Sequence, residues 1–216
     1  MPSEQFFNLP LEKQTGILDC CLEEFAVHGF DAASTNRIVE RAEISKGVLF
    51  KYFKDKESLF LYVCESALNH MVRSLPIESV GQFDDLFSFL KIITVQKITL
   101  YKQHPMMYRL FLRITRNPDH PVYSKIAEEA TVITNEYLSD VVKMLRSDKL
   151  KPGLNWEQTL TAVLWVLSGL QSKYLKLVPE AADDEQFDSL CEQLLLEMDQ
   201  YFMLLQYGMY LEEQGS

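Results

Sequence analysis

Lys46, Gly47, Phe50, Lys51 and Lys54 are the residues of this chain whose types and spacing offer a chemistry. The last four follow i, i+3, i+4, i+7, so a helix over 46–53 carries them on one side. Amines, an aromatic ring and a glycine make a poor core. They suit contact with phosphates and with base edges in a groove, since lysine can donate to guanine O6 and N7. Glycine costs helix stability, so its place in the first turn points to close approach of something to the backbone. Val48, Leu49 and Phe53 fall on the other side and turn toward a core.

The flanking residues supply the elements that would position this face. Ser34 or Thr35 can cap a short helix in which Ile38 and Ala42 recur at i and i+4. Glu43 and Ile44 make a turn, and Ser45 stands where it can cap the next helix. Asp55 can cap a third helix, whose free amides and Lys56 would together face an anion. The pattern is a helix-turn-helix with a phosphate clamp at its downstream edge.

The run T-N-R-I-V-E-R-A-E-I-S-K-G-V-L-F-K-Y-F-K-D-K-E-S-L over 35–59 resembles the DNA-binding signature of the TetR/AcrR family of bacterial transcriptional regulators. Turn, glycine, aromatic pair and K-x-K-E stand in register. Glu43-Ile44 departs from the family's usual alanine or glycine before the apolar turn residue, and Phe50 replaces a common tyrosine. The resemblance implies that Thr35, Tyr52 and Lys56 match phosphate-contacting positions. It implies that Lys46, Gly47 and Lys51 match positions near base edges or the adjoining backbone. Asn36, Ser45, Val48 and Phe50 complete the expected DNA-binding set.

Composition at first opposes nucleic acid: the 216 residues carry a formal charge of −10. The distribution of that charge points the other way. Residues 178–216 hold ten acids and no lysine or arginine, whereas residues 37–56 hold six basic residues against Glu40, Glu43 and Asp55. Phosphate attraction depends on the local patch within a screening length. Cys20, Cys21, Cys64 and Cys191 lack metal or redox spacing and read as reduced thiols, and the four histidines show no H-E-x-x-H. No metal or cofactor is expected. The longest uncharged run, Gln158–Ser172, is 15 residues, short of the roughly 20 that span a bilayer. With no secretory signal visible, a cytoplasmic protein that does not enter membranes is expected.

Eight glycines and eight prolines in 216 residues favour long helices, and the coarse reading is all-α with about nine helices. Residues 1–9 read as a frayed lead, with Phe6 and Phe7 docking on a neighbouring surface. Helices follow over about 11–28, 35–42, 46–53, 56–75, 82–104, 106–116, 122–148, 156–177 and 187–210, with Phe30 packing under the helix-turn-helix pair. Residues 1–56 are expected to form the DNA-binding domain, and 57–216 a helical domain for effector binding and dimerisation.

The aromatic and methionine-rich middle is core on its face. The resemblance implies a pocket there, with Phe89, Ile93, Gln96, Met107, Phe111, Thr134, Tyr137 and Trp165 as candidate lining. Arg109, Arg113 and Arg116 stand ready for an anionic ligand or for Glu128 and Glu129. The last two helices carry apolar side chains on two faces, which calls for two partners. Leu160, Leu164, Leu167, Tyr174, Leu194, Met198, Tyr201 and Leu205 are the candidate dimer interface.

No nucleophile elbow, phosphate loop or paired carboxylates appear, so an enzyme is not expected. The function so implied is repression from an inverted-repeat operator on double-stranded DNA by a homodimer, relieved by a small apolar or amphipathic effector. A helical ligand-binding or interaction protein without specific operator binding is the alternative.

Overall fold

The computed structural model of the chain describes residues 1–74, 85–128, 130, 150–179 and 184–209. Ten helices lie among them: α1 (Glu4–Phe7), α2 (Leu11–Ala32), α3 (Thr35–Arg41), α4 (Lys46–Tyr52), α5 (Lys56–Arg73), α6 (Leu86–Gln103), α7 (Pro105–Arg116), α8 (described over 121–128), α9 (Trp156–Leu177) and α10 (Asp184–Met209). The all-α class is as the composition implied. The part of the expected 122–148 helix beyond residue 128 lies outside the described residues, apart from residue 130.

The chain divides into two compact units, Met1–Leu75 with Thr99–Leu138, and Pro76–Ile98 with Ser139–Ser216. In the first unit one apolar cluster joins Phe25 of α2, Ile38 of α3, Leu49 of α4, Phe60 of α5, Leu110 of α7 and Ile126 of α8. Burying each such side chain contributes about 1.5–3 kcal/mol, which is how seven-residue helices too short to persist alone are held in place.

Two local expectations need correction. The first residues are not frayed: α1 buries Phe6 completely, its ring 5.0 Å from Phe53 and 5.7 Å from Tyr52. The Ser3 amide also donates to the Tyr52 carbonyl at 2.9 Å. A buried ring with four aromatic neighbours outweighs the entropy of a short chain end. Phe30 packs against Phe60 of α5 at 5.3 Å and against the core cluster that holds Ile38 and Leu49. The expected stop at Gly29 is a kink, with φ 70° and ψ 178°, after which helix resumes to Ala32. That backbone region is open essentially to glycine alone.

The kink is held from α7 and α8. Arg113 Nε donates to the Ala26 carbonyl at 2.9 Å and its Nη2 to Val27 at 2.6 Å, and the Phe30 amide donates to Tyr123 Oη at 2.9 Å. These bonds satisfy carbonyls and an amide that the break would leave orphaned. Arg113 thus serves the backbone of α2.

In the second unit α9 packs along α10, burying Val163, Leu167, Leu170 and Tyr174 against a stripe that includes Leu194, Met198 and Phe202. Phe87 of α6 meets Phe202 at 5.1 Å, and Lys91 pairs with Asp199 at 2.7 Å. All four cysteines are free thiols, and burial pushes Cys21 up to about 12.

Candidate nucleic-acid interface

The α4 face is built by its opposite side. Leu49 and Phe53 are 0% and 1% exposed, so α4 can turn only one way. Ser45 caps it, its Oγ accepting from the Val48 amide at 3.2 Å. Glu43 turns the chain between α3 and α4 at φ 52°, a left-handed position that glycine fills more cheaply. Gly47, Phe50 and Lys51 consequently face outward, exposed as their spacing required, with Lys46 exposed at the helix start; Lys54 is exposed beyond the helix, which ends at Tyr52. A Cβ built on Gly47 would meet nothing nearer than Ser45 Oγ at 3.9 Å. The fold therefore has no need of a glycine there.

The structure also sorts five of the six basic residues of 37–56. Arg37 is spent internally: its Nε and Nη2 donate to Glu24 Oε1 at 3.0 and 2.5 Å, and Nη2 to the Ala32 carbonyl at 3.1 Å. Arg41 pairs with Glu23. Lys56 donates to the Asp31 carbonyl at 3.0 Å and lies 5.0 Å over the Phe30 ring. Lys46 and Lys51 make no ion pair among the described residues and keep their charge for a partner.

Glu24 was not singled out by its place in the sequence, yet it is 2% exposed and anchors the start of α3. Its Oε1 accepts from the Ser34 amide at 2.7 Å. Burial alone would raise its pKa, but hydrogen bonds from Arg37 and the Ser34 amide, with the charges of Arg37 and His28, bring it below the ordinary carboxylate value. Neither Ser34 nor Thr35 caps α3 through its hydroxyl. Ser34 holds the cap position, and its own amide goes to Glu24. Asp55 does cap α5, accepting from the Ser58 amide at 2.7 Å, and that bond lowers its pKa.

Of the remaining expected DNA-binding residues, Asn36 is exposed, while Thr35, Val48 and Tyr52 are half-buried. Tyr52 has its ring against Phe6. The profile described as "Bacterial regulatory proteins, tetR family" matches residues 17–63.

Residues 17–63 carry the TetR-family DNA-binding domain. Among curated proteins, the HTH-type transcriptional repressor AcnR of Corynebacterium efficiens is 32% identical over 66 residues, 31% of this chain and 35% of AcnR. The HTH-type transcriptional repressor SCO4008 of Streptomyces coelicolor is 26% identical over 101 residues, 47% of this chain and 48% of that protein. The chain thus spans a third to a half of the length of these relatives. A TetR family transcriptional regulator from Chloroflexus aurantiacus aligns over 98% of this chain and all of its own, with TM-score 0.61 and 26% identity.

The candidate effector residues fall in both units. Phe89 and Ile93 are buried in the second unit, where Gln96 is exposed, while Met107 and Phe111 are half-buried in the first. Trp165 is 74% exposed, because α9 turns Val163 and Leu167 inward instead. Thr134 and Tyr137 lie outside the described residues. The candidate dimer residues differ in exposure. Leu167, Tyr174, Leu194 and Met198 are consumed by packing within their own unit, and Leu160, Leu164 and Leu205 are half-buried there. Tyr201 is 43% exposed, in company with Leu196, Met203, Leu204 and Tyr207. Among the described residues no helix is long and apolar enough to cross a membrane.

Proposed function

We propose that this chain is a sequence-specific DNA-binding transcriptional regulator of the cytoplasm, a repressor whose α4 enters the major groove. The single observation that carries this is the outward face of Lys46, Gly47, Phe50 and Lys51 on a helix whose other side is locked into the core. The similarity to the transcriptional repressors AcnR and SCO4008 supports it. The chain acts as a homodimer. Exposed Trp165 on α9 and Leu196, Met203, Leu204 and Tyr207 on α10 offer an apolar surface for a second copy. Two recognition helices one helical turn or a multiple apart require an inverted-repeat operator.

A small apolar or amphipathic effector releases it, entering the aromatic and methionine-rich middle and acting on α5, which starts beside the DNA-binding face. Tenfold release needs about 1.4 kcal/mol of differential affinity between the two arrangements, and a full switch several times that. Selection from random duplexes, with sedimentation of the free protein, tests the proposal. Recovered inverted repeats and a dimer at micromolar concentration are expected. Asymmetric sites or a persistent monomer would sink it.

A further inference from the structure

His70 and His104 take no part in the surface described above. His70 lies in the last turn of α5, and His104 is the N-cap residue of α7. Their Nε2 atoms are 3.3 Å apart, and the rings meet edge-on, with centroids 4.8 Å apart and planes at 82°. His70 is exposed and His104 half-buried, so solvent and ions reach the pair.

A hydrogen bond between two neutral imidazoles needs one Nε2 protonated and the other bare. The same separation suits two nitrogens on one metal ion. Zn–N bonds of about 2.0–2.1 Å meeting at the tetrahedral angle place the nitrogens about 3.3–3.4 Å apart. The right angle of square-planar or octahedral coordination would bring them to about 2.9 Å. The 3.3 Å spacing therefore favours a tetrahedral ion.

We propose that His70 and His104 form a two-histidine chelating site for zinc. Among the described residues no third histidine, cysteine or carboxylate completes a cluster with them. Waters would fill the remaining positions, making the ion exchangeable rather than structural. Both imidazoles bind in their neutral form with the proton on Nδ1, so protons compete with the metal. Magnesium, which prefers oxygen ligands, is excluded. The bound ion ties the end of α5 to the start of α7, and α7 packs against α2. The site does not depend on the DNA-binding proposal.

The test uses the full chain without a polyhistidine tag. Zinc chloride is titrated by calorimetry and by thermal melting, with magnesium chloride as the contrast. One zinc per chain is expected, with a raised Tm and no response to magnesium. His70→Ala and His104→Ala should each raise the apparent Kd by about tenfold or more, at least the effect that loss of an outer-shell partner has. His28→Ala, which removes an exposed histidine elsewhere, should leave it unchanged. Circular dichroism verifies that each variant is folded. Zinc bound equally well by His70→Ala and His104→Ala, equal loss in His28→Ala, or no binding at millimolar zinc would each overturn the proposal.

Discussion

Replacing Glu24 with glutamine separates the scaffold of the DNA-binding module from its binding surface. Glu24 is 2% exposed and accepts from the Ser34 amide at 2.7 Å and from Arg37 at 2.5 and 3.0 Å. Glutamine keeps the shape but removes the charge, and its NH2 group must confront one of these donors. Hydrogen bonds to a charged group contribute about 1.5–3 kcal/mol each when buried. Arg37 is half exposed, so solvent screens its share toward the low end. A net loss of about 2–3 kcal/mol follows, and at about 2–4 °C per kcal/mol for a chain of this size Tm should fall by about 4–12 °C. Far-ultraviolet circular dichroism of both proteins measures it. The pH dependence provides a second check. Because the folded pKa of Glu24 is depressed, its stabilisation is complete above the unfolded carboxylate value of about 4.3 and disappears as pH falls through the lower folded value. The gap between wild type and Glu24→Gln should therefore be constant from neutral pH down to about 5 and close in stronger acid. A loss below about 0.5 kcal/mol, within the range of an ordinary surface substitution, would refute the reasoning. So would a gap that persists undiminished in acid.

Gly47→Ala should raise stability by up to about 1 kcal/mol, since alanine is the better helix former and no atom obstructs its Cβ, yet weaken operator binding. Denaturant unfolding and a DNA retention assay read the two effects, and unchanged DNA affinity would remove the argument for close approach. Lys46→Ala and Lys51→Ala should alter base preference in selection experiments and leave Tm within a degree or two. Lys56→Ala should weaken binding about equally across sequences and reduce its salt slope by about 1 per site, while lowering Tm through loss of the Asp31 carbonyl bond. A Lys56→Ala variant with changed base preference, beside Lys46 and Lys51 variants without it, would reverse the assignments.

Periodicity determined a good deal on its own. The turn at Glu43-Ile44, the caps at Ser45 and Asp55, and the division of α4 into Leu49 and Phe53 inside against Gly47, Phe50 and Lys51 outside all depend on contacts within a few residues. Such contacts are written in local spacing, and so was the all-α class. The basic excess of residues 37–56 was likewise legible as a count.

Which of those charges remain available was decided by the tertiary structure. Arg37 is neutralised by Glu24 across 13 positions, whereas Lys56 reaches only a backbone carbonyl, that of Asp31 across 25, and its charge stays open to phosphate; no local pattern encodes either pairing. The same holds for Arg113, which reaches Ala26 and Val27 across 87 and 86 residues to hold the kink at Gly29. It holds too for α10, where both apolar stripes are visible in the sequence. Only the packing of α9 along α10 buries Leu194 and Met198 and leaves Leu196, Met203, Leu204 and Tyr207 exposed. Spacing along a helix states which side chains share a face. Which face meets a neighbour is set by where the chain returns, and that depends on the packing of the whole unit.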